Sequence, residues 1–263
     1  MPATAAPTST AKSLRTEGLT IRFGGHVAVN DVTCAFAPGT LTSIVGPNGA
    51  GKTTYFNLIS GQLRASAGRV FLGDEELTDL PAPTRTHRGL GRAFQLTNLF
   101  PNLSVLENVR LAVQARGHVG ANLWSMAAAH RALIERAQHY LEQVALGRSA
   151  AVPAATLPHG DQRKLEVAML LALEPDIFMF DEPTAGMSVD DVPVILDLIR
   201  ELKQRKDIAI LLVEHKMDVV RELSDRIIVL HNGQLVADGE PAAVIASPVV
   251  QQAYLGMAAE EPA

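Results

Sequence analysis

The chain has 263 residues, of which 47% are hydrophobic and 19% charged, and its formal net charge is −5. This composition is typical of a folded globular protein and excludes disorder over the whole length. The acidic balance, without a long lysine or arginine run, argues against a nucleic-acid partner. Cys34 is the only cysteine, so an internal disulfide is excluded and a reducing compartment is indicated. Because Cys34 lies in an alternating, strand-like run, we expect a buried structural thiol rather than a reactive one.

The sequence contains no apolar run long enough to cross a membrane as a helix. The longest runs, such as residues 167–173 and 208–213, are much shorter than the ~18–20 residues that a span requires. Residues 1–13 lack an apolar core and predict a disordered tail rather than a signal peptide, and residues 257–263 predict a flexible acidic tail. Any association with a membrane is therefore expected to go through a protein partner.

The ordered part of the chain is predicted to begin with β-strands. Alternation and β-branched residues over about 14–36 indicate an antiparallel hairpin or meander. Phe23 lies in this segment, where an aromatic ring either packs in the core or stacks on a purine ring. Residues 41–45 (LTSIV) are short, apolar and β-branched, which predicts a buried strand.

The next stretch, GPNGAGKTT at 46–54, fits the phosphate-loop pattern G-x-x-x-x-G-K-[ST]. Its glycines let the backbone curl so that several N–H groups face one concavity, and the helix that follows adds its positive dipole end. In such a loop Lys52 reaches the β- and γ-phosphates and the Thr53 hydroxyl holds Mg²⁺. The predicted phosphate-binding residues are Gly46, Pro47, Asn48, Gly49, Ala50, Gly51, Lys52, Thr53 and Thr54.

Beyond the loop, the signals become weaker. Residues 69–74 predict another hairpin, and residues 81–92, with their prolines and glycines, predict a loop. A short strand then ends at Gln95, and a lone glutamine is normally a solvated surface residue.

Residues 100–173 predict a mainly helical insert within an α/β pattern. The sequence SVLE at 104–107 is a capping box that opens a helix through residue 115. A longer amphipathic helix is predicted over 122–146 and a third over 161–173.

Strands and helices alternate after the insert, which predicts a parallel, doubly wound sheet. Buried strands over 177–180 and 208–213 end in Asp181-Glu182 and Glu214-His215. Helices are expected over 190–205 and 217–224, and a final hairpin over 226–236.

The phosphate loop, Asp181 and His215 each follow a buried strand. Because ligands of open α/β sheets bind at the carboxyl ends of the strands, these groups are expected to gather at one edge. Asp181 is then placed to hold phosphate-bound Mg²⁺, and Glu182 to orient or deprotonate an attacking water. From the residues alone, His215 either contacts the γ-phosphate or is structural.

Over about residues 14–256, the order of these motifs resembles an ATP-binding cassette (ABC) ATPase. The resemblance implies a single α/β domain with the P-loop NTPase fold, whose RecA-like sheet is mostly parallel. It also implies an N-terminal antiparallel β subdomain and an α-helical subdomain inserted at about 96–173. The segments that carry it are Phe23, GPNGAGKTT at 46–54, Phe94-Gln95, LPHGDQ at 157–162, IFMFDEP at 177–183, AGMS at 185–188 and VEH at 213–215.

The resemblance implies ATP and Mg²⁺ as cofactors and a role for each motif. Phe23 would stack on adenine, and Gln95 would lie near Mg²⁺ and water beside Thr53 and Asp181. Glu182 would be the general base and His215 the switch histidine. The D-loop would comprise Ala185, Gly186, Met187 and Ser188.

The main departure from the family pattern is in the signature, and Ser188, where many relatives have Asp in the D-loop, is a smaller one. The signature is usually LSGGQ, and it would bind the nucleotide held by a second subunit. Pro158 offers neither a hydroxyl nor an N–H donor, whereas Gly160 and the following helix N-terminus still offer N–H groups. Asp161 adds a negative charge beside an anion, so we expect either an impaired homodimer or a heterodimer with an intact-signature ATPase. The signature residues are Leu157, Pro158, His159, Gly160 and Asp161.

The segments FGGHVAVNDV, FQLTNLFPNLSVLENV and EPTAGMS are most similar to ATPase subunits of bacterial branched-chain-amino-acid-type importers. That group includes relatives for urea, amides and aromatic compounds. The similarity implies transmembrane permease subunits that dock near Gln95 and residues 96–103, and a solute-binding protein that acts indirectly. It also implies a peripheral place on the cytoplasmic face of the bacterial inner membrane.

Three alternatives remain at this point. The ATPase of lipopolysaccharide export is similar to part of these sequence segments. A soluble ABC ATPase that acts as a mechanical switch in DNA repair or translation usually carries two cassettes or a long coiled coil, and this chain has neither. A generic P-loop kinase or GTPase would leave the ordered later motifs unexplained, and a guanine-reading N-K-x-D motif is absent.

Overall fold

The structure is a computed structural model, and it describes residues 11–93, 99–117 and 126–252. The strands are β1 (Leu14–Phe23), β2 (His26–Phe36), β3 (Leu41–Val45), β4 (Ala67–Leu72), β5 (Glu75–Glu76), β6 (Leu90–Ala93), β7 (Ile177–Asp181), β8 (Ala209–Val213), β9 (Arg226–His231) and β10 (Gln234–Gly239). The helices are α1 (Lys52–Ser60), α2 (Ala82–His87), α3 (Val105–Gly117), α4 (Met126–Gln143), α5 (His159–Leu173), α6 (Val192–Lys203), α7 (Met217–Leu223) and α8 (Pro241–Ile245).

The larger sheet has six strands in the order β10-β9-β3-β8-β7-β6. All neighbours from β9 to β6 pair in parallel, and only β10 pairs antiparallel, with β9. Every residue of β3, β7 and β8 is buried, as expected for strands covered on both faces. The predicted parallel sheet is therefore confirmed, and the carboxyl ends of β3, β7 and β8 meet at one edge.

The smaller sheet is antiparallel, in the order β2-β1-β4-β5, which confirms the two predicted N-terminal hairpins. It packs on α1 through Tyr55, whose hydroxyl shares a 2.7 Å hydrogen bond with the Thr16 hydroxyl. Cys34 is buried beside this pair, and burial raises the pKa of its thiol to about 11. The thiol is thus a structural group, as predicted.

Helices α3, α4 and α5 lie between β6 and β7 in the chain and form the helical insert. The Ser104 hydroxyl accepts a hydrogen bond from the Glu107 N–H at 3.1 Å, as the capping box predicts. The Glu107 carboxylate, however, accepts from Arg110 at 2.9 Å, and so only half of the box is used. None of the helices in the described part of the chain has the length and apolar character to span a bilayer.

The prediction of a loop over 81–92 is wrong, because this segment contains α2 and β6. Pro83 falls in the first turn of α2, where a missing N–H group costs nothing. The side chain of Arg85 is buried under α1 and donates to the carbonyls of Leu58 at 2.8 Å and Ile59 at 2.7 Å. Tertiary anchoring thus overrides the local loop signal. The helix predicted from residue 161 also begins earlier, at His159.

Candidate active site

The phosphate loop connects β3 to α1, and two of its glycines are required by close backbone neighbours. A Cβ atom on Gly46 would lie 2.1 Å from the backbone oxygen of Leu230. A Cβ atom on Gly51 would lie 2.5 Å from the backbone oxygen of Ala28. Gly51 also caps α1 with a φ of 96°, a left-handed conformation that side chains disfavour. The loop therefore curls tightly against β9 and β2 and directs the N-terminus of α1 towards the sheet edge.

Lys52 lies within this curl rather than in solvent. Its Nζ donates to the carbonyls of Gly46 at 2.7 Å and Pro47 at 2.9 Å. Burial lowers the pKa of this amine, whereas the nearby Glu182 and Asp181 carboxylates raise it. The ammonium group is thus placed between the loop and the two acids. Thr53 follows in the first turn of α1 and is half-buried.

Asp181 ends β7, and its side chain is 0% exposed. Its Oδ2 accepts a hydrogen bond from Arg92 Nη2 at 2.6 Å, while its Oδ1 is buried without a hydrogen-bond partner. Burial raises the pKa of this carboxyl, and the adjacent guanidinium lowers it. Mg²⁺ is commonly bound through one carboxylate plus the substrate's phosphates. The unpartnered Oδ1 and the Thr53 hydroxyl fit that donor set.

Glu182 and His215 form a direct pair at the same edge. Glu182 Oε1 lies 2.7 Å from His215 Nε2, and both side chains are partly exposed. The Glu182 N–H donates to the carbonyl of Val213 at 2.9 Å, which ties the end of β7 to β8. Glu182 has a φ of 50°, and such left-handed strain costs about 1–3 kcal/mol and clusters at active sites. The predicted acid and histidine are thus brought together.

Glu214 belongs to this edge, although the motif that contains it gives it no role. Its Oε1 accepts from the Thr184 hydroxyl at 2.7 Å, and its Oε2 accepts from the His215 N–H at 2.7 Å. The buried carboxylate therefore holds the backbone of His215 against the segment that follows β7. Its position at the end of a buried strand, like that of Asp181, is a signal that would have found it.

Arg92 is a second buried group that the motifs do not reveal. Besides Asp181, its guanidinium contacts side-chain oxygens at the C-terminal end of α1. Nη1 donates to Asn57 Oδ1 at 2.6 Å, Ser60 Oγ at 3.0 Å and Gln62 Oε1 at 3.2 Å. No local signal could find it, because it lies in a segment rich in arginine, proline and glycine that predicts a loop.

Phe23 ends β1 and is 50% exposed, so its ring is not part of the core. Gln95 lies outside the described residues, as do Phe94 and residues 96–98 of the predicted docking segment.

The charges around the signature segment differ from those predicted from the sequence. Pro158 caps α5 through its carbonyl, which accepts from the Gln162 N–H at 3.0 Å, with no side-chain cap. The Asp161 carboxylate is not an isolated negative charge. It accepts from Lys164 Nζ at 3.0 Å, and Lys164 also pairs with Asp191. The first N–H groups of α5 have no side-chain cap. The single charge of Lys164 is shared by Asp161 and Asp191, so it offsets the negative charge beside these N–H groups only in part.

Gly186 and Ser188 of the predicted D-loop lie against the signature segment and the start of α6. Gly186 has a φ of 71°, and a Cβ atom on it would lie 3.3 Å from the ring of His159. The Ser188 hydroxyl donates to Asp191 Oδ2 at 2.7 Å, beside Lys164. Signature and D-loop thus form one group around Asp191.

Comparison with known proteins agrees with this geometry. A family model described as ABC transporter matches residues 29–185. The high-affinity branched-chain amino acid transport ATP-binding protein LivG of Escherichia coli (strain K12) is 38% identical over 250 residues, covering 93% of this chain and 98% of LivG.

Solved structures of cassettes from ABC transporters share the fold. The ADP conformation of the cassette MJ1267 superposes with a TM-score of 0.77 at 30% identity, covering 93% of this chain and 99% of that one. The dimeric, ADP- and Pi-bound cassette MJ0796 superposes with a TM-score of 0.75 at 26% identity, covering 87% and 98%. The chain therefore belongs to the ABC transporter family and has the fold of its ATP-binding cassettes.

Proposed function

We propose that the chain powers an ABC importer for branched-chain amino acids or a related small polar solute, such as urea, an amide or an aromatic acid. As a member of the family, it is an ATP-binding subunit that hydrolyses ATP. The observation that carries the solute class is the 38% identity with LivG, which extends over 98% of that protein. The chain spans essentially the whole length of this relative, so the similarity is not confined to the nucleotide-binding motifs.

ATP would bind with its phosphates in the loop and its base near Phe23, whose exposed ring suits stacking. The loop N–H groups and Lys52 would hold the phosphates. Thr53 and Asp181 would hold Mg²⁺, with Gln95 nearby, and the bound ion would neutralise charge on the phosphates. The direct support is the buried, unpartnered Oδ1 of Asp181.

Hydrolysis would depend on the Glu182–His215 pair. The Glu182 carboxylate would take the proton of the attacking water, and His215 would hold that carboxylate in place and contact the γ-phosphate. The 2.7 Å contact between the two side chains supports this division of roles. Buried Glu214 would keep the His215 backbone in position through its 2.7 Å hydrogen bond.

We also propose a head-to-tail dimer in which each nucleotide is closed by the signature helix of the other subunit. Pro158 lacks the side-chain and backbone donors of a serine, so pairing with a second ATPase that has an intact signature would restore one complete site. A homodimer would have two weakened sites. The pairing of Asp161 with Lys164 weakens the repulsion between this carboxylate and the phosphates. It supplies none of the donors that Pro158 lacks.

Permease subunits would dock beside the helical insert. An apolar cavity of about 330 Å³ opens there, next to the exposed side chain of Phe100. Its apolar lining residues include Leu99, Phe100, Leu111, Met169 and Leu173. We place the subunit, as one ABC domain over about 14–256, peripherally on the cytoplasmic face of the bacterial inner membrane. The solute-binding protein would act only through the permease.

The test is co-purification from solubilised native membranes after trapping with ATP. A tagged Glu182→Gln variant should recover two multi-span subunits and a second ATPase with an intact signature. Glu201→Gln, which alters an exposed carboxylate on α6, is the matched control and should not trap the complex. Recovery of soluble partners alone, or of ribosomes or DNA, would instead establish the mechanical-switch class. Titration of the associated binding protein with leucine, urea and short amides would identify the solute.

A further inference from the structure

We propose that Arg92 is a positioning residue that fixes the two Mg²⁺-binding elements relative to each other and leaves Asp181 Oδ1 for the ion. This inference rests on the proposed ATP and Mg²⁺ site. Its first support is the division of the Asp181 carboxylate. Arg92 Nη2 engages Oδ2 at 2.6 Å, whereas Oδ1 is buried without a partner.

The second support is what the other arm of the guanidinium holds. Arg92 Nη1 donates to side-chain oxygens of residues 57, 60 and 62, at and just beyond the C-terminal end of α1. A cation there is also favoured by the negative end of the helix dipole. The same helix carries Thr53 in its first turn. One side chain therefore joins the helix that bears the hydroxyl ligand to the strand that bears the carboxylate ligand.

The geometry requires an arginine. Its planar fork presents two terminal nitrogens in fixed directions, whereas lysine offers one ammonium group on a flexible stem. Both members of the Arg92–Asp181 pair are buried, at 4% and 0% side-chain exposure. Removal of the guanidinium would leave Asp181 free to rotate, with neither oxygen directed by the protein. Groups that orient a metal ligand in this way typically contribute about 10- to 100-fold to metal affinity.

A purely structural role for Arg92 would predict a different outcome, and the chain contains a matched control. Arg85, which lies on α2, is also a buried arginine. It contacts the C-terminal end of α1, where it donates to the carbonyls of Leu58 and Ile59. Its Nε and Nη2 donate to the carbonyls of Leu80 and Thr78 rather than to Asp181. Loss of either fork should lower stability, but only loss of the Arg92 fork should affect the metal.

The experiment is a titration of Mn²⁺, followed by electron paramagnetic resonance, on the full chain saturated with a non-hydrolysable ATP analogue. Analogue affinity is also measured with and without Mg²⁺, and thermal unfolding without nucleotide. We expect Arg92→Lys to weaken Mn²⁺ binding about tenfold and Arg92→Met up to about 100-fold. Arg85→Lys should lower the melting temperature but change Mn²⁺ affinity by less than about twofold. Affinity for the analogue without metal should stay the same in all variants.

Several outcomes would overturn the proposal. Unchanged Mn²⁺ affinity in Arg92→Lys, or an equal loss in Arg85→Lys, would reduce Arg92 to a structural role. If Arg92→Met does not fold, Arg92→Lys and Asn57→Ala carry the test, since the latter loosens the guanidinium while keeping its charge. If analogue binding by the unmutated chain does not respond to metal, the proposed Mg²⁺ site itself is wrong, and this result is distinct from a failure at Arg92 alone.

Discussion

The free energy of unfolding is expected to depend on pH through Glu166, a buried carboxyl group in the helical insert. This residue lies on α5, is 7% exposed and lines the apolar cavity beside Arg92. One carboxylate oxygen is 3.4 Å from Arg163 on the same helix, and the other has no hydrogen-bond partner. Burial raises the pKa of this carboxyl from 4.5 to about 7, although Arg163 lowers it.

The direction of the effect follows from proton linkage. Because the pKa is higher in the folded state than in the unfolded state, the folded chain binds the proton more tightly between pH 4.5 and about 7. The stability that the protonated carboxyl provides is fully present below pH 4.5 and is lost as the pH rises to about 7. The difference between the two pKa values corresponds to at most about 3.5 kcal/mol. A glutamine, which never ionises, removes this loss.

The assay compares Glu166→Gln with the unmutated chain by urea unfolding at pH 5 and at pH 8. Relative to the unmutated chain, the variant should be more stable at pH 8 than at pH 5 by about 2–3 kcal/mol. Glu201→Gln, which also removes one carboxylate but lies on the exposed face of α6, is the matched control. An equal effect of Glu166→Gln at both pH values would refute the reasoning, because the carboxyl would then ionise as easily in the folded chain as in the unfolded one.

Three further predictions concern the nucleotide site. Glu182→Gln should reduce ATP turnover to less than a few percent of that of the unmutated chain, while ATP binding survives. Higher turnover would overturn the general-base assignment. Gly46→Ala should abolish ATP binding measured by fluorescent-nucleotide titration, because its Cβ would lie 2.1 Å from a backbone oxygen. Gly49→Ala, whose Cβ meets nothing within 4 Å, is its control and should cost only the ~1–2 kcal/mol of a left-handed alanine. Equal loss of binding in both glycine variants would contradict the steric argument. Pro158→Ser should raise the turnover of a purified homodimer; unchanged turnover would mean that the proline is tolerated.

The site residues at the carboxyl edge of the sheet could be predicted because each follows a short pattern that is visible in the sequence. The phosphate loop, Asp181, Glu182 and His215 each follow a buried apolar run, and parallel strands necessarily bring their carboxyl ends together. The same logic extends to Glu214, whose position after β8 carries an equal signal. These features depend on strand ends, which a single sequence displays directly.

The remaining features depend on partners that are distant in sequence. Arg85 holds helix α2 beneath α1. The proposed role of Arg92 depends on its hydrogen bonds to residues 57–62 and to Asp181. No local pattern contains those contacts. The pairing of Asp161 with Lys164 is different, since a spacing of three residues on a helix predicts contact. The prediction considers the charge of Asp161 alone and omits this neighbour on the same helix.

The position of β3 between β8 and β9 has a consequence for synthesis of the protein. The phosphate loop is complete in sequence by residue 54, but Leu230 packs against Gly46, and the Gly233 N–H donates to the carbonyl of Ala50 at 3.0 Å. Contacts across so long a stretch of chain form slowly. A ribosome-bound chain that lacks β9 would have the motif without the backbone that packs against Gly46. We therefore expect nucleotide binding to begin only when the last strands have emerged.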